Sequence, residues 1–81
     1  AQEGAFNVYP NPSSSGVMID LKEYGDWELE VYNSLGSLVS SQKINGSVYY
    51  FADENVKSGM YFFQIRKEGQ YIGTKRVIFN Q

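Results

Sequence analysis

The stretch that most constrains this chain is its last third. Met60-Tyr61-Phe62-Phe63-Gln64-Ile65-Arg66-Lys67 turns through Glu68-Gly69 into a run from Gln70 to Phe79. Apolar and polar residues alternate along it with the period of two that sends successive side chains to opposite faces of a strand. This is a β-hairpin, and its apolar face, led by Tyr61, Phe63 and Ile65, is the main supplier of a core. It also holds much of the positive charge.

Eighty-one residues allow one domain and one core, burying about two-thirds of the surface the unfolded chain would expose. There are no cysteines, so no disulfide compensates for the small size. An apolar fraction of 42%, with 16% aromatic residues, is too rich for a disordered tail and means that the chain folds. No run reaches the ~18 apolar residues that a membrane-spanning helix needs, and stable membrane insertion is not expected. The chain opens at Ala1 with neither the charged nor the apolar region of a signal peptide, and reads as a piece excised from a longer protein. A net charge of −2 and an isoelectric point near 4.9 argue against a nucleic-acid partner. The charge is unevenly spread: in residues 60–81, Arg66, Lys67, Lys75 and Arg76 stand against Glu68 alone, whereas the other 59 residues carry three bases against eight acids. Two readings stay open for this asymmetry: bases protecting exposed strand edges, or a basic face for a partner.

In chain order, residues 1–5 read as a linker remnant and residues 6–81 as the domain. Phe6-Asn7-Val8-Tyr9 is a short strand stopped by Pro10-Asn11-Pro12, whose prolines belong at a sheet edge or a sharp exit. Ser13-Ser14-Ser15-Gly16 is a polar turn. Val17, Ile19 and Leu21 then define one strand, Glu23 to Asp26 a loop, and Trp27, Leu29 and Val31 the next strand. Asn33-Ser34-Leu35-Gly36 is a hairpin turn in which Gly36 supplies positive φ. Ser37 to Ile44 is weakly patterned and fits an edge strand. Asn45-Gly46 is the favoured pair for a two-residue hairpin turn into Ser47 to Phe51, which suffices to explain the glycosylation sequon at Asn45. Ala52 to Lys57 allows one helical turn with Val56 tucked under as a plug, and Ser58-Gly59 launches the last hairpin. About seven short strands with turn signals roughly every ten residues make the fold class all-β, an immunoglobulin-like sandwich of antiparallel strands. Strict alternation places Lys75 with Val77 and Phe79 on the inward face, and Gly73 is expected to mark a bulge that relieves this by shifting the register.

Without histidine or cysteine there is no imidazole base, no thiol nucleophile and little to bind a transition metal. No enzyme activity, cofactor or metal is expected. The serines at Ser13 to Ser15, Ser40 and Ser41 have no base to activate them. Glu28 and Glu30 alternate with the apolar residues of a strand and read as its wet face, and Asp53-Glu54-Asn55 lacks the spacing of a calcium loop. Tyr24, Trp27, Tyr49 and Tyr50 leave open a carbohydrate-binding or adhesion module that stacks sugars on exposed rings, and a purely structural accessory domain that stabilises an attached catalytic unit is a further alternative. The residues alone thus lead to a small β domain without visible chemistry.

Its turn motifs go further. Val8-Tyr9-Pro10-Asn11-Pro12 with the Ser/Gly turn, Val31-Tyr32-Asn33-Ser34-Leu35-Gly36 with Val39, Ser58-Gly59-Met60-Tyr61-Phe62-Phe63-Gln64-Ile65, and Lys75-Arg76-Val77-Ile78 follow one another from Phe6 to Phe79. In order and spacing they resemble the type A C-terminal sorting domain of the type IX (Por) secretion system. The resemblance implies a non-catalytic signal at the end of a protein from a Bacteroidetes-type bacterium. It would pass through the periplasm, be recognised while folded by the type IX translocon, and carry a covalently linked upstream cargo to the cell surface or medium. A sortase-like peptidase would then cut upstream of Phe6 and join the cargo to the surface. The resemblance places recognition on Gly59, Tyr61, Lys75, Arg76, Val77 and Ile78, and fold-defining roles on Tyr9, Pro10, Asn11, Pro12 and Gly36. For Gly59 and Tyr61 an architectural role, turn and core packing, stands beside direct contact. The family often ends directly after its basic-apolar strand, whereas Phe79-Asn80-Gln81 follow here. A weak homodimer through an exposed edge strand is a further expectation.

Overall fold

The computed structural model describes residues 6–80, so the linker read over residues 1–5 lies outside the described residues. Five strands form: β1 (Asn7–Tyr9), β2 (Val17–Asn33), β3 (Leu38–Phe51), β4 (Gly59–Lys67) and β5 (Gln70–Phe79). They make one antiparallel sheet in which β2 is the spine. β3 lies along one side of β2, while the other side takes β1 against its first half and β4 against its second. β5 pairs with β4, Gly59 opposite Phe79 and Lys67 opposite Gln70.

The sheet curls because β2 and β3 bend together. Between Asp20 and Gly25 the β2–β3 register shifts, and Lys22 takes a φ of 71° with its N–H held by Asp20 Oδ1 at 3.0 Å. The chain therefore stacks β1 and the adjoining halves of β2 and β3 over the remainder of the sheet. Phe51 of the first layer meets Phe63 of the second with ring centroids 5.2 Å apart and nearly perpendicular.

The expected class, an all-β sandwich, holds, but with five strands rather than seven. Glu23 to Asp26 is not a loop and Asn45-Gly46 is not a hairpin turn. Gly25 pairs with Gly46 and Asp26 with Asn45, inside the ladder, at the bend. Gly46 does take positive φ, at 150°, but it serves a continuous strand. The edge-strand reading of Ser37 to Ile44 fits β3, which has β2 on one side and no strand on the other among the described residues.

Alternation builds the core directly. On β2, Val17, Ile19, Leu21, Trp27, Leu29 and Val31 are buried, and Tyr61, Phe63, Ile65, Val77 and Phe79 come from the last hairpin. Phe6 and Val56 close the ends. Val56 is the expected plug, held by a turn in which its N–H donates to the Asp53 carbonyl at 3.0 Å; no helix forms there. Asp53 Oδ1 also accepts the Asn55 N–H, so this carboxylate caps its own turn. The buried hydroxyl of Ser13 donates to the Gly16 carbonyl and accepts the Ser15 N–H. No buried side-chain nitrogen or oxygen among the described residues lacks a partner.

Two glycines answer to different constraints. At Gly36, with φ 86°, no neighbour stands within 4 Å of where a Cβ would lie, and Asn33 Oδ1 accepts both the Leu35 and Ser37 N–H groups across the turn. Gly36→Ala is therefore expected to lose about 1–2 kcal/mol through backbone conformation alone. At Gly16 a Cβ would lie 2.3 Å from the Tyr50 hydroxyl and 2.7 Å from the Phe51 carbonyl oxygen, and the latter is backbone that cannot swing away. Gly16→Ala is expected to lose about 1–3 kcal/mol by overpacking. Thermal melts distinguish the two: an added Tyr50→Ala recovers part of the loss at position 16 and none at position 36.

Candidate docking face

The last hairpin divides the expected recognition residues between two faces. Tyr61 and Val77 point inward: Tyr61 packs edge-on against Phe79 at 5.7 Å and donates its hydroxyl to the Lys57 carbonyl at 2.9 Å, while Val77 is fully buried. Gly59 starts β4 at a φ of 146°. Tyr61 and Val77 belong to the buried core, and Gly59 supplies positive φ where β4 begins. Lys75 does lie on the inward side, opposite Phe63, and its ammonium reaches the rim 5.9 Å above the Phe6 ring. The expected bulge exists, between Tyr71 and Gly73, yet it does not move Lys75 outward because it precedes the run from Gly73 to Phe79 that keeps one phase. The flexible lysine stem removes the conflict instead.

Arg76 and Ile78 face outward. Their backbone is fixed from a distance: Asn11 Nδ2 donates to the Arg76 carbonyl at 2.7 Å, and Asn11 Oδ1 accepts the Ile78 N–H at 3.0 Å. The Ser13 N–H donates to the Ile78 carbonyl at 2.9 Å and the Asn80 N–H to the Ser13 carbonyl at 2.7 Å. Both bonds preceding proline, Tyr9-Pro10 and Asn11-Pro12, are cis in this segment. The Pro10–Ser13 segment thus occupies the edge of β5 where another strand would pair. Asn11→Ala removes both side-chain bonds and is expected to destabilise the domain by about 1–3 kcal/mol, read as a lowered urea midpoint.

Cross-strand register surrounds Arg76 and Ile78 with residues that the sequence reading left unassigned. Leu38, Tyr32, Phe62 and Arg76 lie opposite one another across β3, β2, β4 and β5, and Met60 opposite Ile78 forms the next row. One signal was available for Met60 and Phe62: both occupy the outward phase of β4. Further along this face the chemistry turns polar. Glu30 Oε1 accepts from Tyr32, Gln64 and Arg66, at 3.2, 3.2 and 3.3 Å. Burial first, and then the Glu30 charge, hold the Tyr32 phenol above the usual tyrosine value, with the Arg66 cation opposing. Any stability gained from the neutral phenol is therefore present below the ordinary tyrosine value and lost as pH rises through the raised one.

The charges sort themselves similarly. Arg66 pairs with Glu30, and Lys67 pairs with Glu23 while lying 4.9 Å over the Trp27 ring. Arg76 has no carboxylate in ion-pair range among the described residues. The four aromatics of the sugar-platform alternative do not make one row. Trp27 is a core residue whose Nε1 donates to the Gly46 carbonyl, and Tyr49 and Tyr50, being successive on β3, face opposite ways. A half-open cleft of about 340 Å³ beside Trp27 and Ile44 sits near the Glu68 turn, at the other end of the hairpin from Ile78. Among the described residues no three acidic side chains gather to hold a metal ion.

The domain is a curled β-sandwich whose last strand turns Arg76 and Ile78 outward. Residues 7–80 match the family described as the secretion system C-terminal sorting domain, and the chain belongs to that family, whose members are non-catalytic signals for type IX secretion. Over 80 residues, 98% of its length, the chain is 31% identical to the ulvan lyase NLR42 of Nonlabens ulvanivorans. It spans 15% of that curated relative. Family membership carries an interaction with the secretion machinery, attachment to an upstream cargo, and export to the cell surface or medium.

Proposed function

We propose that residues 6–81 are read in the folded state by the type IX translocon after transit through the periplasm, with residues 1–5 joining them to the cargo. A sortase-like peptidase then cuts upstream of Phe6 and attaches the cargo to the surface. The observation that supports this reading is the pairing of Asn11 with the backbone of Arg76 and Ile78, which links the entry of the domain to its final strand and orders that strand only when the chain is folded. Lys75 contributes through the rim, and Gly59, Tyr61 and Val77 act by shaping the hairpin. An ulvan lyase carries a segment similar to this chain, which supports a secreted enzyme as the cargo. The open edge of β3 suits a weak homodimer.

The test fuses residues 1–81 to a periplasmic reporter in a bacterium that owns a type IX system. The reporter is expected outside the outer membrane, as with an authentic sorting domain. Retention in the periplasm beside an exported control would sink the proposal.

A further inference from the structure

We infer that the outward stripe of Leu38, Tyr32, Phe62, Met60 and Ile78 docks an apolar segment of a partner polypeptide in the secretion machinery, and that this segment brings one carboxylate to Arg76. The inference rests on the secretion reading and specifies the chemistry of the partner.

Exposure supports it first. Leu38 is 52% exposed, Ile78 38% and Met60 37%, while Tyr32 and Phe62 are half-buried on the same face. Single exposed apolar residues need no explanation, but a contiguous group does. Register makes this group contiguous: one row crosses four strands, about 14 Å at the usual strand spacing, and a second row lies beside it. The same face becomes polar within two residues along β4, at Gln64 and Arg66 around Glu30. The patch therefore has a boundary.

Charge then selects the occupant. Of the four cations on the last hairpin, Arg66 pairs with Glu30, Lys67 pairs with Glu23 and Lys75 rests over the Phe6 ring, whereas Arg76 has neither an ion pair nor a ring against it among the described residues. Its guanidinium ends the Leu38–Tyr32–Phe62 row, so the complementary segment is apolar with a single Asp or Glu at one end. Edge pairing is not available as a substitute at this point. The backbone of Arg76, Ile78 and Asn80 that faces away from β4 is bonded to Asn11 and Ser13. Recognition here uses side chains on a face, rather than an added strand.

The experiment compares reporter export for wild type, Arg76→Glu, Arg76→Lys, Ile78→Ser and Met60→Ser, each with its melting temperature, and with Thr74→Ser as a control on the polar half. Export is expected to fall about tenfold for Arg76→Glu and several-fold for the two serine variants, with melting temperatures near wild type and partial function kept by Arg76→Lys. Retention of the wild-type domain on solubilised secretion machinery should weaken as salt rises from about 0.05 to about 0.5 M, and Arg76→Gln should flatten that dependence. If the wild type is exported and the folded variants are exported equally, the docking face is wrong and the secretion reading survives. If the wild type itself stays in the periplasm, both fall. A dimer of the isolated domain that Ile78→Ser converts to monomer, with export unchanged, would give the face to a second copy and overturn the inference.

Discussion

Replacing Phe63 with alanine is expected to remove a large share of the domain's stability. Its side chain is fully buried at the meeting of the two layers, 5.2 Å from the Phe51 ring and 6.2 Å from that of Phe79. Truncating such a phenylalanine costs about 3–5 kcal/mol, through lost transfer energy and the cavity left behind. At roughly 0.05–0.15 kcal/mol per residue, a domain of this size holds about 4–12 kcal/mol in total. It has no cysteines with which to raise that figure. A shift of about 4–8 °C per kcal/mol puts the melting temperature at least about 12 °C lower, readable by circular dichroism. A midpoint within a few degrees of wild type would mean that the layers are not held together at Phe63.

Removal of the last seven residues, ending the chain at Thr74, is expected to be more severe. It takes Val77 and Phe79 out of the core, leaves Tyr61 without its ring partner, and strips Asn11 and Ser13 of the backbone they bind. The product should show no cooperative melt and should expose apolar surface to a dye. Export lost by such a truncation reports on folding as much as on recognition. Separating the two needs single changes at Arg76 or Ile78, whose side chains point away from the core. A truncated chain that still melts cooperatively would refute this partition.

Much of this architecture is legible in the sequence because alternation is a local property. β2, β4 and β5 declare their inward residues directly, Gly36 its turn, and Val56 its plug. The errors have one physical origin. Asn45-Gly46 satisfies the backbone demand of a hairpin turn and equally that of a bend inside a strand, and only the pairing of Gly46 with Gly25 decides between them. That pairing is a long-range fact with no local signature. Lys75 teaches a related lesson: parity alone sent it inward, and a long stem with a ring to rest on makes that tolerable without a register shift. The docking face is harder still. Arg76 and Ile78 were within reach of a motif, but Leu38 and Tyr32 join them only through register across four strands. Asn11 likewise acts on residues 65 and 67 positions away.

The central claim is that the export address is a surface of the folded domain rather than a linear peptide. The most direct measurement is the fraction of a reporter found outside the outer membrane when fused to wild-type residues 1–81 and to the Phe63→Ala chain, which leaves every outward side chain unchanged, at a temperature between the melting midpoints of the two domains. The wild-type fusion is expected to be exported and the Phe63→Ala fusion to remain in the periplasm. Equal export of the two would show that the final strand is read as sequence, and would contradict the account.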